Sequence, residues 1–307
     1  MKRYIINILI FFGLIALIDF GVGSVGDYLQ AHAKGGETRE FNDLVRNDIH
    51  DVLILGSSRA HHHYDTPFLS DTLGVDIYNA GIDGNGVVLS YGILELVLKR
   101  YKPQLVIFDV EPAFDIYEYK PDNNHIRYLS KLKPYFKEAG IDNIIKDVSA
   151  DEWRKVQSGL VRYNTTIIPI LMDNVENKGC FDKGFEPFYG VMQRELTEAD
   201  IVKMKHRDQF KIDYVEKLIL LCKNENVPLV MVASPKFGAS NSTAFEPVVT
   251  LCAKYQVPFW DFYANEEFMN HKEWFKEPMH LNYQGARCFS KTLIQRIAPY
   301  VQCRQLL

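Results

Sequence analysis

Apolar residues in this chain fall into short unbroken runs, separated by stretches where they recur every three or four positions. Asp51-Val52-Leu53-Ile54-Leu55 is one such run, and Gly56 follows it. Apolar side chains on both faces of a strand predict burial from both sides. Val75-Asp76-Ile77-Tyr78 reads as a second strand, Gln104 to Asp109 as a third, Val227 to Ala233 as a fourth and Val257 to Asp261 as a fifth. Helical spacing fills the stretches from Gly86 to Tyr101, from about Ile212 to Glu225 and from about Tyr283 to Ile297. Strands alternating with helices predict an α/β fold: a flavodoxin-like, doubly wound parallel sheet of five strands.

Two regions depart from that rhythm. Between the third and fourth strands, about residues 117–200, helical patterns at Ile126 to Lys137 and Asp151 to Leu160 predict a mainly helical insertion. Such an insertion is expected to wall one side of a cleft. At the amino terminus Lys2 and Arg3 precede an apolar run from Ile5 to Ile18, broken only by Asn7 and resumed by Phe20-Gly21-Val22 after Asp19. Its length lies between a signal-peptide core and a full membrane span. An uncleaved anchor over residues 1–23 is the reading preferred to a cleaved signal or a buried core helix. Ala31-His32-Ala33 has the form of a cleavage site but stands far beyond the apolar run.

The basic flank predicts an amino terminus on the cytoplasmic side of the inner or cytoplasmic membrane, with the rest of the chain outside. Asp19 would then reach water near the outer interface. Residues 24–48, polar and containing Gly35-Gly36, read as a tether, and residues 49–303 as the α/β domain with its insertion.

Composition changes this picture little. With 47% hydrophobic and 24% charged residues in 307, the chain can bury a real core. A net charge of −4 without a Lys/Arg-rich run argues against nucleic acid as a partner. The five cysteines (Cys180, Cys222, Cys252, Cys288 and Cys303) lack metal-ligand spacing. Cys222 and Cys252 fall in apolar helical patterns and read as buried thiols. No metal and no cofactor is expected.

In open α/β sheets ligands bind beyond the carboxyl ends of the strands. That rule selects the loops starting at Gly56, Asn79, Val110 and Ser234, together with the later loop bearing His280. Ser58 directly follows the first strand, where a tight turn can expose its hydroxyl. A serine needs a general base to become nucleophilic at neutral pH, and His280 is the candidate. Glu277, three residues earlier, can hold the imidazole in the required tautomer, and Pro278 restricts the loop between them. Each segment also has a bland reading: Gly56-Ser57-Ser58 as a turn or helix cap, and His280 as a structural histidine. Their shared position on one sheet edge favours a site. The glycine-rich stretch Asn79 to Gly86 offers backbone N–H groups for an oxyanion. It lacks the lysine that a phosphate-binding loop would carry.

These segments resemble those of SGNH/GDSL-type hydrolases. The resemblance is closer to their membrane-anchored branch, related to the D-alanyl transfer protein of teichoic acid synthesis, and it covers Asp51 to Leu293 apart from the insertion. It implies Ser58 as nucleophile with Ser57 in the place of the family's Asp. It further implies Gly84 as an oxyanion donor, and Glu277 with His280 as the terminal acid–base pair. One block departs from the pattern. After the third strand the family offers Gly-x-Asn-Asp, whose Asn completes the oxyanion hole, whereas this chain has Asp109-Val110-Glu111-Pro112. A carboxylate there repels a developing oxyanion unless it is turned away or neutralised. Asn85 is then a possible replacement donor.

Arg59 can clamp an anionic substrate group, or it can pair with Asp83 or Glu111 as scaffold. His61-His62-His63 is not read as a metal site, because successive residues point in different directions; His62 or His63 is left to line the cleft beside Ser58. The expected function is an exported, membrane-anchored esterase or O-acyltransferase acting on an acylated cell-envelope saccharide or similar ester. A membrane acyltransferase is a possible partner. The alternative is an accessory scaffold that binds such a polymer without turning it over.

Overall fold

The computed structural model describes residues 1–118, 125–138, 140–175, 181–197 and 206–302. They form two compact units. One joins the amino-terminal segment, residues 1–47, to the middle of the chain, residues 125–180; the other holds residues 48–124 and 181–307.

The second unit carries the sheet. Strands β1 (Val52–Gly56), β2 (Ile77–Asn79), β3 (Leu105–Asp109), β4 (Leu229–Ala233) and β5 (Phe259–Asp261) lie in the order β2-β1-β3-β4-β5, every pair parallel. The flavodoxin-like sheet read from the periodicity is therefore the one observed. Every residue of β1, β3 and β4 is buried, as apolar runs without alternation require. Val52, Ile54, Ile107, Val230 and Val232 pack in one core with Phe268, Phe289, Leu293 and Ile297. Each such side chain contributes roughly 1.5–3 kcal/mol on leaving water. The strand order reverses between β1 and β3, so the crevice of the fold opens beyond Gly56 and Asp109, which are register partners.

A second, antiparallel ribbon follows: β6 (Phe275–Glu277) and β7 (His280–Leu281). Its brevity hides it from strand patterning. Asn282 then caps the helix Tyr283–Ile297, its Oδ1 accepting from the Gly285 N–H at 3.0 Å, and its Nδ2 donates to the Gly190 and Glu273 carbonyls. Gly285 tolerates no side chain, since a Cβ there would lie 2.1 Å from the Trp274 carbonyl oxygen.

In the first unit the helix Lys2–Ala31 is long and apolar enough to cross a membrane, with a mean hydropathy of 2.5 over its best window. Its side chains from Tyr4 to Ile18 are largely exposed, while Gly23, Gly26 and Gln30 are buried. Gly23 meets Gly159 in a close backbone contact, where a Cβ on Gly159 would lie 2.4 Å from the Gly23 Cα. Asp19 caps the helix Gly159–Tyr163, accepting from the Gly159 and Leu160 N–H groups and the Ser158 hydroxyl.

Residues 24–48, expected as a tether, are folded instead. The first helix runs on to Ala31, a second helix spans Gly36–Asn42 and a π-helical turn spans Asp43–Asn47. Phe41, Leu44 and Val45 are buried, and the Tyr135 hydroxyl donates to Asn42 Oδ1. The polar composition of this stretch concealed three apolar anchors at helical spacing.

The insertion is helical between residues 125 and 175, in shorter pieces than the periodicity implies, whereas residues 185–197 form no helix. The expected helix at Ile126–Lys137 is two 3-10 turns, His125–Leu129 and Lys133–Tyr135. The expected helix at Asp151–Leu160 breaks in two because Ser158 caps a new start, its Oγ accepting from the Val161 N–H. Cys222, Cys252 and Cys288 are free thiols, and burial pushes the first two up to about 12. Cys180 and Cys303 lie outside the described residues.

Candidate active site

Gly56 ends β1 with φ +146°, where an added Cβ would lie 2.7 Å from the Asp109 carbonyl oxygen. Glycine is required to turn the chain there. The short helix Ser58–His63 starts two residues on, and Ser57 at its cap position makes no side-chain capping bond. Ser58 Oγ lies 2.7 Å from His280 Nε2. The other ring nitrogen, Nδ1, contacts Glu277 Oε1, and Glu277 Oε2 accepts from the Met279 N–H at 3.1 Å.

The ribbon explains that last contact. Glu277 and His280 are paired across β6 and β7, with only Pro278 and Met279 between them, so acid and imidazole face each other over one tight turn. Burial alone would raise the Glu277 carboxyl, but the His280 hydrogen bond and charge outweigh it and hold the group below its ordinary value. The carboxylate is fixed from both of its oxygens.

His63 ties the two halves of the site together. Its Nε2 accepts from the Leu281 N–H at 3.0 Å, which leaves Nδ1 to donate to Ser234 Oγ at 3.0 Å. Burial, with Arg59 and neighbouring histidines adding to it, holds this ring well below its ordinary range and therefore neutral.

Arg59 is not a surface clamp. It is 1% exposed and donates to Glu111 Oε2 at 2.9 Å and to the Ser234 hydroxyl and carbonyl oxygens. The scaffold alternative is the one seen, with Glu111 as partner. Glu111 is 3% exposed and so is likewise turned inward rather than toward a ligand. Asp109 is fully buried and accepts from the Ser234 N–H at 3.3 Å. Burial pushes its carboxyl up to about 6 against the opposing charge of Arg59. The carboxylates of Asp109, which ends β3, and of Glu111 are thus both turned inward, the condition that the missing Asn imposed.

The glycine-rich loop lies against the same helix. The Ile82 N–H donates to the Gly56 carbonyl at 3.1 Å, and a Cβ on Gly81 would lie 2.5 Å from the His61 nitrogen. Gly84 adopts φ +66°, and Asn85 Nδ2 donates to the Asp83 carbonyl at 3.0 Å, a bond within the loop itself.

Sequence reading missed Glu186 and Phe188, which belong to the last part of the insertion, where the Glu186 N–H donates to the His61 carbonyl. Phe188 stacks on His62 with ring centroids 3.7 Å apart and meets His280 edge-on at 5.5 Å. It also missed that His61 and His62 turn to one partner. Asp83 lies 2.9 Å from His61 Nδ1 and 3.2 Å from His62 Nε2. Hydrogen bonds from both rings overcome the effect of burial and hold the Asp83 carboxyl well below its usual range.

No protein-family model matches the sequence, and no curated protein matches it. Among solved structures the chain is similar to a "putative acylhydrolase" from Bacteroides fragilis NCTC 9343, at 12% identity over 86% of this chain and 96% of the other, with a TM-score of 0.43. It is also similar to the acetyl xylan esterase AlAXEase, at 11% identity over 80% of this chain and 99% of the other, with a TM-score of 0.39. At these identities and TM-scores neither relative assigns chemistry to this chain.

Proposed function

We propose that this protein is an exported, membrane-anchored serine esterase or O-acyltransferase that acts on an acylated cell-envelope saccharide. The observation that carries the reading is the unbroken relay from Ser58 Oγ through both nitrogens of His280 to Glu277. Glu277 fixes the tautomer with Nδ1 protonated, so Nε2 offers its lone pair to the serine hydroxyl. His280 takes the Ser58 proton as Oγ attacks the acyl carbon. It returns that proton to the departing sugar oxygen as the tetrahedral intermediate collapses to the acyl-enzyme. Water or an acceptor hydroxyl, deprotonated by His280, then attacks the acyl carbon, and His280 returns that proton to Ser58 Oγ as the acyl group leaves it. The Ser58 N–H at the open end of its helix and the Gly84 N–H are the proposed oxyanion donors.

The apolar helix Lys2–Ala31 supports work beside a membrane, and the saccharide class rests on the resemblance to the membrane-anchored SGNH-type branch and on the expected exported compartment. One feature favours a second reading, an accessory scaffold without turnover that presents the polymer to a membrane acyltransferase: no Asn follows β3 to complete the oxyanion hole.

Labelling with a fluorophosphonate, together with turnover of p-nitrophenyl acetate, separates the two. Labelling and turnover that Ser58→Ala and His280→Ala both abolish support the enzyme. A folded protein that neither labels nor turns over supports the scaffold.

A further inference from the structure

The relay just described leaves two imidazoles of the helix Ser58–His63 without a task. Beyond the shared contact with Asp83, His61 Nδ1 lies 3.8 Å from Glu186 Oε2. The ligand atoms of His61, His62 and Glu186 lie within 4.8 Å of one another. The two rings and Glu186 therefore converge on one small volume, and Asp83 stands against both rings.

The hydrogen-bond logic of His62 gives that convergence a meaning. Its Nδ1 lies 2.6 Å from the Glu186 carbonyl oxygen, which can only accept, so Nδ1 carries a hydrogen. In a neutral ring the Nε2 lone pair then faces the Asp83 carboxylate, acceptor against acceptor. A positive charge has to stand between them, either a proton on Nε2 or a cation. The arrangement is the one that metal-binding histidines use, with one nitrogen donating to a backbone carbonyl while the other points at the ion. The ring is also completely buried and stacked on Phe188, so its direction is fixed before any ligand arrives.

We propose that His61, His62, Asp83 and Glu186 form a binding site for one divalent transition-metal ion of the zinc type. Mixed nitrogen and oxygen donors suit such an ion, whereas calcium and magnesium prefer oxygen alone. His62 closes the buried side. Asp83, with 56% of its side chain exposed, and Glu186, with 36%, leave the ion approachable by water or a substrate oxygen. The His62 and His280 rings are 5.7 Å apart between centroids, so the ion would sit beside the proposed acyl centre. The site stands on its own geometry and holds whether or not Ser58 is a nucleophile.

The test uses full-length protein in detergent, stripped with a chelator and titrated with Zn²⁺ by calorimetry and with Co²⁺ by visible absorption. One equivalent is expected to bind, with ligand-field bands of a nitrogen- and oxygen-coordinated ion. His62→Ala and Asp83→Asn should each weaken binding at least about tenfold, while Ser58→Ala should leave it unchanged. Asp83 is half-exposed, so its variant tests the site even if His62→Ala does not fold. No saturable binding to a folded parent, or binding unaffected by Asp83→Asn, would overturn the proposal and leave a protonated His62 paired with Asp83.

Discussion

Glu277 and His280 meet across a two-residue turn, paired in a ribbon of only five residues. The carboxylate–imidazole contact is thus a local property of the chain, whereas the serine arrives from 222 residues away. Local geometry makes the acid the cleanest member to perturb. Glu277→Gln keeps the size of the side chain but removes the charge and frees the ring to adopt the other tautomer. We expect kcat for p-nitrophenyl acetate to fall by roughly a hundred- to ten-thousand-fold with little change in KM. Steady-state kinetics checks this, and an unchanged kcat would remove Glu277 from the site.

His63 is a positioning residue in this scheme. It joins the helix that starts with Ser58 to the strand that carries His280. Replacing it with Ala leaves the Leu281 N–H without its acceptor and opens a cavity, at a cost of about 2–4 kcal/mol. Fluorophosphonate labelling of Ser58 should also slow in the folded fraction. His63→Ala protein that loses stability yet labels at the parent rate would reduce the residue to packing.

Gly56 is constrained twice, by its positive φ and by the Asp109 carbonyl. Gly56→Ala should destabilise the sheet unit by on the order of 2–3 kcal/mol, with a matching drop in the urea midpoint. A midpoint like that of the parent would mean that the turn relaxes at no cost.

Asp109 supplies a pH signature. Its carboxyl titrates at about 6 in the folded protein. The unfolded value is about 3.9. Between those values the native state holds the proton and the unfolded state has lost it, so this group's contribution to stability falls as pH rises from about 4 to about 6. The full effect is at most about 3 kcal/mol. Asp109→Asn should flatten that part of the profile. Denaturation of parent and variant between pH 4 and 7 measures the difference, and parallel curves would contradict the inverted titration.

The strands and the long helices were legible because buried parallel strands are written as apolar runs, and each run survives any change of neighbours. Ser58, His280 and Glu277 were legible because they sit in short segments at element ends, where residue type and spacing carry the signal. Asp83, Glu186, Phe188 and Ser234 were not legible as partners. Their contacts join loops far apart in sequence, and no local pattern records which loop crosses which. Arg59 shows the same limit from the other side. Its type permitted a clamp or a scaffold, and only the depth of Glu111 beside it distinguishes them.

The amino-terminal helix carries a consequence for how the chain matures. Gly23, Gly26 and Gln30 are interior residues of a folded unit, packed on Gly159, Tyr163 and Tyr135. A peptidase cutting after Ala33 would remove that helix from the unit it organises and bare the surface it covers. Retained, the leader is a permanent structural member, and the helices inserted between β3 and β4 stay packed on it for the life of the protein.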